Sequence, residues 1–472
     1  MTKLRIGLAL VVAALLLACS TPRSKPAETA NDTRPAETAS DPNTAGTVPR
    51  VAPMGTLQGR LAYIDKGDLF VRESLTGTSR RLTDDGKNDS PVWSPSGRWL
   101  LFQKDRAYWV IRRDGSRARE LLPSERAARP VWAPNEDVVA FADGGRIEVM
   151  GVDGSGARTL VKGGDAESLG DLAWSPDGSL LLYSIRRQPA SAGEPFYDGL
   201  WLVPSQGGRP RELYAVHGDA PQCLTTAGWT ADGTGALFQP IPSCSNSIAA
   251  DGLPLMFVPA EGGTPHQLVG SMLGYPDFLA LAAGSRFAAV AGAGRMSWTQ
   301  KRIVVGDAKS GRVLNVSPSD QAAISPAWAP DGRQLAYVAM PDKGDSAGGE
   351  AMRAAMMQRR LWLVRPDGSE ARHLTPNEGF RDESPHWTGD GRHILFARLN
   401  EKGEASLWVV GADDSVDAPA TQANPTTPAA QAAPATLVAH LDPPVTEAGI
   451  TWFGYYGWIN WSRVFDFQPL GR

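Results

Sequence analysis

From Leu57 onward the chain repeats one pattern of hydrophobic and polar positions: a Trp, a polar turn of the Ser/Thr/Ala-Pro-x-Gly kind, then a short apolar run. The pattern stands at Trp93 (WSPSGRWLLF), Trp132 (WAPNEDVVAF), Trp174 (WSPDGSLLLY), Trp229 (WTADGTGALF), Trp328 (WAPDGRQLAY) and Trp387 (WTGDGRHILF), with a degenerate copy at Leu281 (LAAGSRFAAV). Successive copies lie 39 to 59 residues apart. Such spacing falls around that of propeller blades, and the 3.6-residue period of a helical solenoid does not accompany it.

Each copy supplies further strands. The run after the turn is one, and an alternating aromatic and aliphatic run follows, as at Tyr108 to Ile111, Leu200 to Val203 and Leu407 to Val410. Hairpin signals come next, at Asp114-Gly115, Asp153-Gly154, Gly207-Gly208, Gly262-Gly263, Ser310-Gly311 and Asp367-Gly368. Glycine there accepts the positive φ that a tight β turn demands. In the last copy an Ala/Pro/Thr segment, residues 411–435, replaces the turn and is expected to be a disordered insert. Before the first Trp phrase, GRLAYID, DLFVRES and SRRLTD read as strands two to four of a blade whose first strand is missing. We assign the missing strand to the C-terminus, where Trp461-Ser462 resembles Trp93-Ser94. Pairing N-terminal and C-terminal strands would close the ring and remove its free sheet edges. The expected fold is all-β: a propeller of four-stranded blades, eight in number, with seven as the alternative.

Composition adjusts this picture in two places. Fifty Gly and 37 Pro in 472 residues fit a chain rich in turns. A net charge of −4 without a basic stripe argues against nucleic acid as a partner. Residues 1–18 have the charged start (Lys3, Arg5) and the apolar run (Ile6 to Leu17) of a signal peptide. They lead into Leu16-Leu17-Ala18-Cys19, which resembles the bacterial lipobox. That resemblance implies lipidation of Cys19 and anchoring to a membrane, the outer one in a double-membraned cell because Ser20 follows instead of Asp. Residues 19–56 then form a tether of Thr, Pro, Ala, Ser and Glu, and residues 57–472 the propeller.

The Trp phrases themselves resemble the TolB-like, WD-related propeller repeat, over about residues 57 to 465. The resemblance implies a propeller whose repeat Trp residues (Trp93, Trp132, Trp174, Trp229, Trp328 and Trp387) are folding devices. The chain departs from TolB in its blade count, its lipobox and its lack of the family's extra α/β domain, so a role in the Tol system is not carried over.

Candidate chemistry is sparse. Gly344-Asp345-Ser346-Ala347-Gly348 matches a nucleophile elbow, but it sits in a loop instead of between a buried parallel strand and a helix. The six His residues show no metal-ligand spacing, phosphate-loop motifs are missing, and no cofactor or metal is expected. Peptidases that pair a propeller with a hydrolase domain continue beyond the point where this chain stops. A channel enzyme would place His, Asp or Glu at the inner ends of the first strands, which read PVW, LAW, AGW and PAW. The expectation is therefore a noncatalytic chain. Cys223 and Cys244 remain as an even pair at one end of the same sheet and are expected to form a disulfide, with two free buried thiols as the alternative.

Loop lengths are the most informative functional feature. Insertions gather between second and third strands of four successive blades: Arg186 to Gly199, Pro240 to Leu253, Ala291 to Lys301 and Met340 to Arg360. These connections open on one face, and they carry Arg186, Arg187, Phe196, Tyr197, Arg295, Trp298, Arg359 and Arg360. Arg and aromatic residues are enriched in interface cores. The C-terminal stretch holds eight aromatics between Trp452 and Phe467 and reads as closure strand plus plug, or as a docking patch. The functional expectation is a lipid-anchored scaffold of the cell envelope that binds a protein partner. The alternatives are an enzyme acting on carbohydrate or peptide in the channel, and a solute-binding lipoprotein. Mass spectrometry of the N-terminal peptide from native membranes tests the address: a lipid-modified Cys19 is expected, and an unmodified Ala18 or Cys19 terminus refutes it.

Overall fold

A computed structural model describes residues 57–124, 129–189, 191, 194–344, 349–376, 379–413, 435–442 and 456–470. The signal peptide, Cys19, the tether and residues 414–434 of the expected insert lie outside these. So do Asp345 to Gly348 of the elbow-like string.

The described strands form eight antiparallel sheets of four strands each, an eight-bladed β-propeller. Blade 1 is completed from the far end of the chain: Phe465–Gln468 pairs with Gln58–Asp65, which continues to Asp68–Ser74 and Arg80–Arg81. Blades 2 to 8 follow in order, beginning with first strands Asn88–Trp93, Val131–Trp132, Glu167–Trp174, Gln222–Trp229, Leu279–Leu281, Gln321–Trp328 and Phe380–Trp387.

The closing strand differs in register from the expectation. Trp461–Arg463 is a single turn of 3-10 helix, and Phe467 is the residue that stands opposite Leu61. In blade 7 the equivalent pair is Trp328 with Leu335, and LAYI after Arg60 matches LAYV after Gln334. Phe467-Gln468-Pro469-Leu470-Gly471 is thus the eighth copy of Trp-Ser-Pro-Asp-Gly, with Phe in place of Trp. The shared Trp-Ser dipeptide at 461 pointed six residues too early.

The repeat Trp packs between neighbouring sheets. Trp93 joins Leu100, Phe102 and Ile111 of its own blade to Ala62, Ile64, Leu69 and Val71 of blade 1. In four blades its indole N–H also donates to the preceding blade's inner strand, at the carbonyl just before that blade's own anchor position. The bonds run from Trp174 to Val131 (3.2 Å), Trp229 to Ala173 (3.2 Å), Trp328 to Ala280 (3.3 Å) and Trp387 to Ala327 (3.0 Å). A large apolar ring with one polar edge suits a site that is greasy between sheets and polar at the strand backbone.

The turn after the Trp has its own hydrogen bonds. In blade 4 the Ser175 hydroxyl donates to Asp177 at 2.6 Å and accepts the Leu180 N–H at 2.9 Å, while the Ser179 N–H and hydroxyl also donate to Asp177. Gly178 completes the turn at φ +74°, a conformation a β-carbon would strain. Thr230 with Asp232 and Thr388 with Asp390 repeat the arrangement.

Among the described residues two short α-helices interrupt the strands: α1 (Asn246–Ala250) and α2 (Gly349–Met356), both in inserts. Among the described residues no helix is long and apolar enough to cross a membrane.

The Ser175 hydroxyl and the donors of Ser179 hold the Asp177 carboxyl at about 2, below the ordinary value near 4. Its contribution to stability is complete above about pH 4 and disappears as pH falls through about 2. Thermal melts across this range should therefore show Asp177→Asn less stable than wild type at neutral pH, with the gap closing on acidification. A constant gap would place the effect in packing and not in the charge.

Candidate functional site

The four inserts lie on one face, and residues 456–464 of the C-terminal segment cross it. The Tyr456 carbonyl accepts both the N–H and the hydroxyl of Ser297 (3.0 Å each), from the blade 6 insert. The Gly457 carbonyl accepts Arg359 at 2.7 Å and Arg381 at 3.2 Å. Trp458 stacks flat on Tyr275 with ring centroids 3.9 Å apart, and its indole N–H donates to Asp277 at 2.7 Å. Trp461 donates to Glu383 at 2.8 Å. The segment leaves the face where Arg463 pairs with Asp89 at 2.7 Å and enters the closing strand.

Beneath it lies a buried ionic cluster. Glu383 accepts from Arg359 and Arg381 at 2.5 Å each, and the three side chains are at most 4% exposed. Burial alone would raise the Glu383 carboxyl, but the two guanidinium groups outweigh it and hold the carboxyl below its usual range. Burial lowers Arg381 to about 10. Nearby, Asp277 is shifted the other way: burial raises its carboxyl even though Ser325 (2.6 Å) and Trp458 donate to it. Asp382 and Arg398 form a second buried pair at 2.6 and 3.1 Å.

The predicted face residues separate into supports and exposed groups. Arg359 is 1% exposed in the ionic cluster. Trp298 is buried with Ala322, Met340, Ala355 and Met356, so α2 and the blade 6 insert share a small core. Tyr197 is buried as well, donating its hydroxyl to Glu212 at 2.8 Å. Arg360 is half-buried and donates to the Gln358 carbonyl at 2.7 Å. Arg186 pairs with Asp198 at 3.0 Å. Arg187 reaches Glu167 at 2.6 Å while lying over the Tyr197 ring, and half of its side chain stays exposed. Phe196 is half-buried at the start of its strand. Arg295 ties the blade 6 insert to α1 through Asp251 (2.7 Å) and the Ser247 hydroxyl (3.1 Å). Beside it Ile248 is 42% exposed and Tyr456 37% exposed, two residues the composition of the inserts did not single out.

The inner strands hold more chemistry than their last three residues suggested. Four positions before the Trp stand Asp89 and Glu383, and Asp277 takes the same place before Leu281 in the degenerate copy. Asp171 occupies a bulge with φ +44°, and Ser90, Ser325 and Ser384 occupy corresponding bulges in blades 2, 7 and 8. Burial raises the carboxyls of Asp171 and of Asp466, which accepts the backbone N–H of Trp93 at 2.7 Å. His386 lies 3.2 Å from the Ser384 hydroxyl and edge-on to Phe465; desolvation pushes it down to about 4, so it is neutral at pH 7. The spacing of the six His residues along the chain gave no sign of this buried one. Repeat-aligned columns of the positions four, three and one before each Trp would have exposed both the acids and His386.

The Cys223–Cys244 disulfide is present, joining the start of the first strand of blade 5 to the turn before α1. It closes a 21-residue separation, stabilising by on the order of 3 kcal/mol. Such a bridge is consistent with an extracytoplasmic protein.

No protein-family model matches the chain, and no curated protein does. Similar solved structures include dipeptidyl peptidase 4 of Porphyromonas gingivalis, 10% identical with a TM-score of 0.52. That match covers 76% of this chain and 57% of the peptidase, so the chain spans little more than half of that protein's length. An oligogalacturonate lyase of Vibrio parahaemolyticus is 12% identical over 76% of this chain and 98% of the lyase, with a TM-score of 0.45. A protein assigned as TolB in Agrobacterium tumefaciens is 15% identical over 82% and 90%, with a TM-score of 0.33. At these identities the likeness is one of fold.

The expectation of a noncatalytic chain is corrected by these findings. Its premise, inner strands poor in acids and His, does not hold once Asp89, Asp171, Asp277, Glu383 and His386 are placed. The propellers similar to it include that of a dipeptidyl peptidase, so this architecture is no argument against catalysis.

Removing one partner of a buried ion pair leaves an uncompensated charge and costs about 3 to 5 kcal/mol. Glu383→Gln should therefore lower unfolding stability by about that amount and make residues 456–464 sensitive to limited proteolysis. Retained protease resistance would show that the aromatic contacts alone hold the segment.

Proposed function

We propose that the propeller is a docking module of the cell envelope, lipid-anchored through Cys19, that engages a protein partner with its insert-bearing face. The single observation that carries this reading is the bracing of that face. Inserts from blades 4 to 7 are tied down by salt bridges, a disulfide and a shared core, whereas the opposite face consists largely of tight glycine turns. Loops held in one conformation lose little entropy on association. Rigid scaffolds commonly carry binding residues on the loops elaborated at one end.

The contact area would centre on Ile248, Arg295 and Tyr456, with Arg187 and Phe196 at its blade 4 side. An Arg held beside exposed aliphatic and aromatic side chains matches the make-up of interface anchors. Arg359 and Trp298 serve this surface from below, and Arg186 and Arg360 border it. The envelope location rests on the lipobox-like N-terminus and on the disulfide.

A photo-crosslinking amino acid at Ile248 in intact cells should give a discrete protein adduct, and Arg295→Glu should weaken it at least about tenfold, the loss of one hot-spot residue. The same probe at Ser116, in a tight turn of the opposite face, should give none. Equal adducts from the two positions would refute the assignment of the face.

A further inference from the structure

The disulfide on the insert-bearing face has unusual company. Cys223 is buried at the start of its strand, 8% exposed, and Cys244 is half-buried in the following turn. An Arg186 guanidinium nitrogen donates to the Cys223 sulfur. It is aimed there by Asp198, 3% exposed, which takes the Arg186 Nε–H at 3.0 Å on one oxygen and the Gln222 N–H at 3.2 Å on the other. A cation on one sulfur of a disulfide contributes little to holding the bridge closed, since neither sulfur is charged. It does stabilise the thiolate that appears when the bridge opens, and a better-stabilised leaving thiolate leaves faster.

The other sulfur lies in a strained turn. Ser243 and Cys244 both have positive φ, +53° and +50°, without being glycine. Consecutive residues in that region are uncommon and cost energy that the surrounding structure must hold in place. Opening the bridge frees this turn to relax. The two halves of the bridge are thus differentiated: Cys244 is the more exposed residue, and Cys223 is buried with a cation placed to take the negative charge of its sulfur.

We infer that Cys223–Cys244 is a thiol–disulfide exchange site that accepts a small thiol such as glutathione or cysteine at Cys244. The thiolate attacks the Cys244 sulfur along the S–S axis. A new S–S bond forms between the small thiol and Cys244 while the old one breaks, and its electron pair stays on Cys223 as a thiolate against Arg186. No other oxidant or reductant enters, and the reverse step, Cys223 attacking the mixed disulfide, restores the bridge. The charged groups facing this centre are Arg186, its partner Asp198, and Asp171, whose carboxylate also acts on Arg186. A modification placed here would sit at the foot of α1, the element Arg295 ties into the proposed contact area.

Incubation of the full chain with glutathione at neutral pH, quenching in acid and peptide mass mapping tests the inference. The adduct is expected on Cys244, and Arg186→Gln should slow its formation about tenfold by removing the charge that stabilises the leaving thiolate. An adduct on Cys223, or a rate unchanged or raised in Arg186→Gln, overturns it. A second reading is independent of that rate. In single-cysteine variants, Cys223 (in Cys244→Ser) should be alkylated by iodoacetamide with a lower pH midpoint than Cys244 (in Cys223→Ser), and Arg186→Gln should erase the difference. Equal or reversed midpoints in the presence of Arg186 overturn the inference.

Discussion

The propeller depends on how each sheet is held to the one before it. A repeat Trp lies between two blades with its ring in the apolar layer and, in blades 4, 5, 7 and 8, its N–H on a carbonyl of the preceding inner strand. This contact is directional: every such bond points back toward the preceding blade, so the sheets are set at a repeated angle and the chain curves toward closure. Ring formation then requires a final strand able to take an anchor position. Phe467 fills it with an apolar ring, while Asp466 just before it accepts the backbone N–H of Trp93 and so ties the closing strand to blade 2.

Closure has a consequence for the functional face. The chain must return from the end of blade 8 to the inner strand of blade 1, and residues 456–464 make part of that passage across the insert-bearing side. Their backbone carbonyls and two indole N–H groups meet Arg359, Arg381, Asp277 and Glu383, so charges that would be costly in isolation become acceptors and donors for a single strap. The inserts of blades 6 and 7 are packed against the same strap through Ser297 and Met356. Stability of the ring and shape of the proposed docking surface are therefore one problem for this sequence. The disulfide is placed differently. It braces only the blade 5 insert, and Arg186 gives it a chemistry that a purely structural bridge does not need.

Much of the architecture is legible in the amino-acid order because it is local. The Trp, the Ser-Pro-Asp-Gly turn and the alternating run sit within about ten residues of one another, and each has a physical reason to recur. Strand periods, hairpin glycines, the blade count and the face on which the inserts open all follow. The cysteine pair was legible too, because antiparallel pairing brings Cys223 and Cys244 to the same end of one sheet. The closing strand was harder, since Phe467-Gln468-Pro469-Leu470-Gly471 keeps the shape of the repeat but not its identity, and Trp461-Ser462 kept the identity without the shape.

The site was legible only as a list of residue types. Arg359 and Trp298 have the composition of binding residues, and nothing in their neighbours along the chain says that they are buried supports. That is decided by groups 24 to 98 residues away, Ser297, Glu383 and Gly457 among them, which the ring brings together. The inner-strand acids were visible as letters, but their shifts arise from desolvation inside a closed ring, which no local window contains. What the sequence by itself determined is the repeated unit and its number, through interactions a few residues long. Which charges are buried, which arginines stay available and which sulfur carries a cation were decided only by tertiary structure, because burial and ion pairing are properties of places where distant segments meet.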